Sequence, residues 1–298
     1  MEAIVAKTAF LGLGVMGYPM AGHLAAAGHD VTVYNRTTAK AEAWVEEYAD
    51  CSSGEICAAP TPAGAAADAD FVFCCVGADK DVAEVCTGDE GAFSSMGKGA
   101  VFVDHTTASA ECARQMAEAA TAAGVAFIDA PVSGGEAGAV GGVLTVMCGG
   151  DAKAFAAAEP VMDAYARMTK LLGPVGSGQL AKMVNQICIA GIVQGLSEGL
   201  HLALEAGLDA KAVVDVISKG AAQSWQMENR AETMIDGSFD FGFAVDWMRK
   251  DLGIVLAEAK NLGISLPQTA LVDQFYADVQ RMGGNRQDTS SLIRRFRG

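Results

Sequence analysis

Lys182, Asn185 and Gln186 stand at i, i+3 and i+4, so a helix would put an ammonium and two amides on one face. Gly173, Gly176 and Gly178 precede them and are read as clearing room for a ligand ahead of that face. A lysine so placed can give a proton to, or take one from, an oxygen that changes charge during a reaction. A surface lysine at the head of a long helix is the plainer reading. The choice between them rests on what the rest of the chain supplies.

A second group with chemistry in it follows the strand-like run Ala126–Asp129. Ser133, Gly134 and Gly135, then Gly138, Gly141 and Gly142, make a stretch whose backbone N–H groups can surround an anion, with the Ser133 hydroxyl as a further donor. The carboxylate of a small acid suits such a cradle. A flexible linker is the bland alternative, but Asp129 and Pro131 stiffen the segment. Further along, the Trp225 indole suits a substrate wall, with Met227 and Phe243 beside it in the reading, although a core tryptophan fits the same pattern. In Arg249-Lys250-Asp251 the spacing allows a solvated face, or a lysine aimed at a cofactor and held by Asp251.

These groups need a scaffold, and the N-terminal third supplies one. Lys7 to Leu11 is a short apolar strand, followed by Gly12-Leu-Gly14-Val15-Met16-Gly17 and a helix carrying Met20, Leu24 and Ala27 up to Gly28. A second strand, Val31 to Tyr34, closes a unit of about thirty residues, the context that makes Gly-x-G-x-x-Gly informative. Gly12 permits the turn, Gly14 lets a pyrophosphate approach the backbone, and Gly17 lets helix meet strand. The helix N-terminus then favours the anion. After the second strand comes Asn35-Arg36-Thr37, with no acid to repel a 2′-phosphate and a guanidinium to receive one. NADP(H) is the expected cofactor, with NAD(H) possible; a solvated Arg36 stacking on adenine is the alternative.

Strands at Phe71–Val76 and Ala100–Asp104, with helices between, extend a parallel sheet whose ligands bind beyond the carboxyl ends of its strands. Val76, Gly77 and Thr107 are therefore expected at the cofactor. One of Thr106, Thr107 and Ser109 is expected to cap the next helix. His105 is read as a loop residue without a role.

Composition narrows the classes. The chain has 298 residues, 51% hydrophobic and 19% charged, and a net charge of −15, which argues against nucleic acid or an anionic membrane as partner. Eight cysteines without Cys-x-x-Cys pairing and four scattered histidines suggest no metal site. The cysteines read as mostly buried hydrophobes in a reducing, cytoplasmic setting. The most apolar run, Ile187 to Val193, is broken by Gln194, Ser197 and Glu198, and is read as unable to span a membrane.

From about Gly178 to Ala206 the pattern is one long helix, followed by helical segments at 210–218, 226–235, 244–262 and 268–282. The expected fold is α/β: a Rossmann dinucleotide-binding domain over 1–172, joined by that helix to an all-α substrate and dimerisation domain over 173–298.

Four stretches jointly resemble the motifs of the β-hydroxyacid dehydrogenases: Gly12 to Met20, Asp129 to Gly135, Gly173 to Gln186, and Lys250-Asp251-Leu252. That family includes 3-hydroxyisobutyrate dehydrogenases, tartronate semialdehyde reductases and glyoxylate/succinic semialdehyde reductases. The resemblance covers nearly the whole chain. It implies Lys182 as the catalytic residue, Ser133, Gly134, Gly135 and Asn185 as substrate contacts, and Lys250 near the nicotinamide. It also implies a small hydroxyacid or semialdehyde bearing a carboxylate as substrate, and a homodimer or homotetramer built through the C-terminal helices. Gln186, where 3-hydroxyisobutyrate dehydrogenases carry a second Asn, looks more like the tartronate semialdehyde reductases. Gly77 stands where many members carry Pro. An inert NADP(H)-binding scaffold is the competing class, and it has no need of Lys182, Asn185 and Ser133 together.

Overall fold

The protein is described from a computed structural model covering residues 5–297. The chain divides into two compact units, 1–182 and 183–298, so the division falls inside the long helix rather than ahead of it.

In the first unit, strands and helices alternate as β1 (Lys7–Leu11), α1 (Gly17–Ala26), β2 (Asp30–Tyr34), α2 (Thr38–Tyr48), β3 (Ile56–Ala58), α3 (Pro62–Ala66) and β4 (Phe71–Cys74). They continue as α4 (Asp79–Thr87), β5 (Val101–Asp104), α5 (Ala110–Ala123), β6 (Ala126–Asp129), β7 (Val132–Ser133), α6 (Gly135–Val140), β8 (Leu144–Gly150), α7 (Ala152–Met162) and β9 (Ala166–Gly173). The sheet order is β3-β2-β1-β4-β5-β6-β8-β7, with β9 also pairing β8. Strands β1 to β6 run parallel; β8 is antiparallel to β6 and β7, and parallel to β9. The chain leaves β1 toward β2 on one side and returns to β4 on the other, the arrangement that opens a crevice at the strand ends.

Period-two alternation builds the two faces of this sheet. On β1 and β5, Phe10, Val101 and Val103 join one core with Met20, Leu24 and Trp44 of α1 and α2. Ala9, Leu11 and Phe102 join the other, with Val82 of α4 and Met116 of α5. Local chemistry sets the helix ends. Thr61 accepts from Gly64 N ahead of Pro62, Ser109 accepts from Cys112 N, and Gly124 ends α5 at φ 78°. Ser109 is thus the expected cap of the next helix.

Two sequence expectations change here. The glycine-rich segment after Ser133 is in part a short helix, α6, because Gly138 sits against Leu144 and His23 Nε2 donates to the carbonyls of Ala139 and Val140 at its end. Strand β9 was unforeseen: its Arg167 and Lys170 interrupt any apolar run, and it pairs only with β8.

Helix α8 (Ser177–Glu205) carries the chain from one unit into the other. The second unit continues with α9 (Ala210–Ile217), α10 (Trp225–Asp236), α11 (Val245–Asn261), α12 (Pro267–Arg281) and a 3-10 segment, Thr289–Phe296. No strand lies in it among the described residues. Ala190 and Val193 of α8 pack with Val245, Met248 and Leu252 of α11 and Val272 and Tyr276 of α12. Leu196, Leu200 and Ala203 pack with α10 through Met227, Ala231 and Met234. Met227 is therefore a core residue, not a pocket wall. With 29 residues and an 18-residue window of mean hydropathy 1.5, α8 is long and apolar enough to cross a membrane by length and composition, contrary to the reading of its polar residues as a bar. Of those residues Gln194 and Ser197 are buried in the protein, at 6% and 0% exposure, while Glu198 is exposed.

Candidate active site

The turn after β1 is shaped by what a side chain would meet. Gly12 sits at φ +99°, and a Cβ there would strike the Cys75 carbonyl; one on Gly17 would strike the Gly12 carbonyl and the Phe10 ring. Gly14 is exposed, with nothing within 4 Å of a Cβ position. Two glycines are thus required by the protein itself, while the middle one leaves the backbone open to a ligand. The Leu13 N–H is already taken by Asn35 Oδ1 at 3.0 Å, whereas those of Gly14, Val15 and Met16 meet no acceptor among the described residues. Those N–H groups, at the start of α1, fit a pyrophosphate.

Asn35 also donates to the Thr37 carbonyl at 3.1 Å, so it shapes the β2–α2 turn. Arg36 is 90% exposed, and its Nη1 lies 3.7 Å from Asp81 at the start of α4. Val76, at the end of β4, donates its N–H to Thr106 Oγ1 at 3.0 Å, and Thr106 N donates to Asp104 Oδ1 at 3.0 Å. Val76, Gly77 and Thr107 are all half-buried at neighbouring strand ends. A cavity of about 610 Å³ lies beside the glycine turn, lined by Leu13, Gly14, Val15, Tyr18, His23 and Tyr48 among others. Lys182 and the 133–135 segment do not line it.

The start of α8 is bound to the strand ends. Asp129, fully buried at the end of β6, accepts from Gly176 N through Oδ1 at 2.7 Å and from Gln179 N through Oδ2 at 2.9 Å. Burial pushes its carboxyl up to about 6 against the pull of those N–H groups. Gln179 in turn donates to the Thr106 carbonyl at 2.7 Å and accepts from Ala108 N at 3.0 Å. Lys182, 7% exposed, donates from Nζ to the Val132 carbonyl at 2.8 Å, next in the chain to Ser133. The first unit therefore brings the lysine to the segment Ser133-Gly134-Gly135, where Gly134 and Gly135 adopt φ 137° and 60°.

The glycines ahead of Lys182 do not clear space for a ligand. A Cβ on Gly178 would strike the carbonyls of Met147 and Asp129, and one on Gly176 would crowd Arg114 and Ala110. The room they leave is filled by the protein itself, by strands at Gly178 and by α5 at Gly176.

His105, read from sequence as a loop residue without a role, is a buried core residue. Its Nδ1 lies 2.7 Å from the Ala130 carbonyl and its Nε2 lies 2.8 Å from Tyr165 Oη. Because a carbonyl only accepts, Nδ1 carries the proton and Nε2 accepts from the tyrosine. Burial lowers this imidazole to about 4, so it is neutral. Asp104 beside it is pushed up to about 7 by burial, and its Oδ2 finds no partner among the described residues.

In the second unit, Asn185 Nδ2 donates to Gln186 Oε1 at 2.8 Å, and Gln186 Nε2 donates to Asp251 Oδ2 at 2.7 Å. Lys250 Nζ is 3.2 Å from Asp251 Oδ1. Asp251 thus holds Lys250, one part of the second sequence alternative; Arg249 instead binds Asp273 at 3.0 Å. Trp225 is half exposed, with the Arg230 guanidinium 4.8 Å from its ring. Sequence reasoning missed Gln179, Asp104, His105 and Tyr165, whose partners are distant in sequence; the only local signal was the Asp129-Ala-Pro stretch. Among the described residues, no group of three or more His, Cys, Asp or Glu is placed to hold a metal.

Residues 7–173 match the NAD binding domain of 6-phosphogluconate dehydrogenase, and residues 176–296 match the NAD-binding domain of NADP-dependent 3-hydroxyisobutyrate dehydrogenase. An oxidoreductase of Shewanella frigidimarina is 62% identical over 98% of both chains. The 2-hydroxy-3-oxopropionate reductase of Escherichia coli is 35% identical over 96% of both. The structure of Mycobacterium tuberculosis 3-hydroxyisobutyrate dehydrogenase with L-serine superposes with a TM-score of 0.88 at 27% identity, covering 99% of this chain and all of that one. The chain is an NAD(P)-dependent oxidoreductase, and a nicotinamide dinucleotide is its cofactor.

Proposed function

Because the chain belongs to the β-hydroxyacid dehydrogenase family, we propose that it interconverts a short semialdehyde and its β-hydroxyacid, with Lys182 as general acid and base. The observation that carries this reading is the buried Lys182 ammonium bonded to Val132 O beside Ser133. The bound nicotinamide dinucleotide supplies the hydride in reduction and takes it in oxidation. As the carbonyl carbon gains hydride and its oxygen becomes an alkoxide, Lys182 gives that oxygen a proton; in oxidation it takes the hydroxyl proton back. Ser133 and the backbone of Gly134 and Gly135 hold the carboxylate, and Asn185 positions the hydroxyl. Within the family we read the chain as 3-hydroxyisobutyrate dehydrogenase-like, with a glyoxylate or tartronate semialdehyde reductase as the alternative that Gln186 favours; relatives of both names match at similar identity.

Arg36, with no acid at 35–37, supports NADP(H) as the preferred cofactor and NAD(H) as the weaker one. Exposed apolar residues on α8 and α9, including Leu202 at 70% and Val216 at 73%, support a homodimer or homotetramer through the C-terminal helices. Eight free cysteines support a cytoplasmic enzyme.

The test is turnover of NADPH and NADH with glyoxylate and with tartronate, succinic and methylmalonate semialdehydes, for the wild type and Lys182→Ala. General acid–base catalysis contributes typically about 10²–10⁴-fold, so Lys182→Ala should lose most of kcat. A variant keeping more than about a tenth of kcat would refute the assignment. No turnover with any of the four by the wild type would favour an inert scaffold.

A further inference from the structure

Asp129 lies too deep to be a substrate contact, with 0% exposure, and both carboxylate oxygens are engaged by the N–H groups of Gly176 and Gln179. It stands three residues before Val132, whose carbonyl receives Lys182 Nζ, and Gln179 stands three residues before Lys182. The same two segments are therefore joined twice, one helical turn apart: the β6 end to the first turn of α8, and the start of β7 to the lysine.

We propose that Asp129 is a positioning residue for proton transfer: by fixing the depth and rotation of the first turn of α8, it sets where the Lys182 ammonium stands. Three features make the joint rigid. The carboxylate meets two N–H groups at the positive end of a 29-residue helix. Gly178 and Gly149 leave no room for a Cβ between that turn and Asp129, so helix and strand end are in direct contact. Gln179 holds the same turn to the Thr106 carbonyl and the Ala108 N–H, a third strand end. A lysine side chain alone has four rotatable bonds and would not hold its ammonium to the tolerance proton transfer needs.

Asp129→Asn keeps the size but presents an NH₂ to one of the two backbone N–H groups, so the turn must shift or rotate. This inference rests on Lys182 as the acid and base, and the experiment separates the two. Asp129→Asn, Gln179→Ala, Lys182→Ala and the double variant Asp129→Asn/Lys182→Ala are compared in steady-state kcat and KM, NADPH affinity by fluorescence titration, and thermal unfolding.

The expected result is a kcat for Asp129→Asn lower by about 10- to 100-fold, with NADPH affinity within about twofold, because the glycine turn is untouched. Gln179→Ala should move kcat in the same direction by a smaller factor. In the Lys182→Ala background, Asp129→Asn should cost nothing further, since there is no ammonium left to place. A folded Asp129→Asn that keeps kcat, or loses kcat and NADPH affinity together, overturns the proposal; so does a multiplicative double variant. Should Asp129→Asn not fold, an unchanged kcat in Gln179→Ala overturns it alone. If Lys182→Ala stays active, the proton-transfer reading fails and this one with it. If Lys182→Ala is silent while folded Asp129→Asn is fully active, only this one fails.

Discussion

Gln186 and Asp251, 65 residues apart, meet through a 2.7 Å hydrogen bond from Nε2 to Oδ2 in the second unit. The other oxygen of Asp251 faces Lys250 Nζ at 3.2 Å, so one carboxylate, 3% exposed, holds both an amide and an ammonium. Asn185 is tied in through Gln186 Oε1. The carboxylate thus orders three side chains: Asn185, which the proposed reaction uses, Gln186, and Lys250, which the family resemblance sets near the nicotinamide. Asp251→Asn removes the charge that Lys250 faces and sets an amide against an amide. The expected loss is about 1–3 kcal/mol of stability, read by urea denaturation. Because the family resemblance implies Lys250 near the nicotinamide, KM for the dinucleotide should rise by about tenfold, the equivalent of one lost interaction of about 1.4 kcal/mol. An unchanged KM would separate Lys250 from the cofactor.

Much of this was legible in the residues because the signals were local. Gly12, Gly14 and Gly17 between a strand and a helix announce the dinucleotide turn, and the structure divides their work as the spacing implies: two for packing, one open. The helix carrying Lys182, Asn185 and Gln186 was legible from its periodicity, within a residue at each end. What escaped depends on partners far along the chain. His105 owes its place to Tyr165, and Gln179 to Thr106 and Ala108. Neither partner leaves a trace in a local pattern. The glycines at 176 and 178 show the opposite failure. Their pattern was legible and its cause was not, because an open space and a close-packed neighbour both demand glycine.

That ambiguity at Gly178 gives its own test. If the glycine served a ligand, Gly178→Ala would weaken substrate binding and leave the fold alone. The structure places a new methyl against the Met147 and Asp129 carbonyls instead. Forcing a methyl into packed backbone costs about 1–3 kcal/mol. The expected outcome is a lower unfolding midpoint together with a lower kcat, since α8 must move away from Asp129. A variant as stable as the wild type with a raised substrate KM would restore the ligand reading.

Arg36 and Asp81 make the cofactor preference testable from both sides of one contact. The guanidinium is 90% exposed and only 3.7 Å from the carboxylate, so their attraction is weak, about 0–1 kcal/mol for such a pair. A 2′-phosphate would displace it readily. Arg36→Ala should lower kcat/KM with NADPH by at least about tenfold and leave NADH within about threefold. Asp81→Asn should raise the NADPH value a few-fold by removing the competing charge. Parallel assays with both cofactors decide; an Arg36→Ala variant that loses NADH and NADPH activity equally would make Arg36 an adenine-stacking residue.

Asp104 and His105, neighbours in the chain, titrate in opposite senses, and this predicts where stability peaks. Burial raises the Asp104 carboxyl from 3.8 to about 7, so the folded protein retains a proton that the unfolded chain has already released. The stability this gives is fully present below pH 3.8 and is lost as pH rises through about 7. Burial lowers His105 from 6.5 to about 4, so its contribution is present above 6.5 and is lost as pH falls through about 4. Asp129, raised to about 6, adds to the Asp104 effect mainly below neutrality. Lowering the pH from about 8 to 6.5 therefore protonates Asp104 before His105 opposes it, and the melting temperature should rise. Asp104→Asn keeps an acceptor for the Thr106 N–H and has no proton to gain, so its melting temperature should be nearly flat over that range. Thermal unfolding at half-unit pH steps checks both. A wild-type melting temperature that falls over the range, or a slope unchanged in the variant, would assign the pH dependence to other groups.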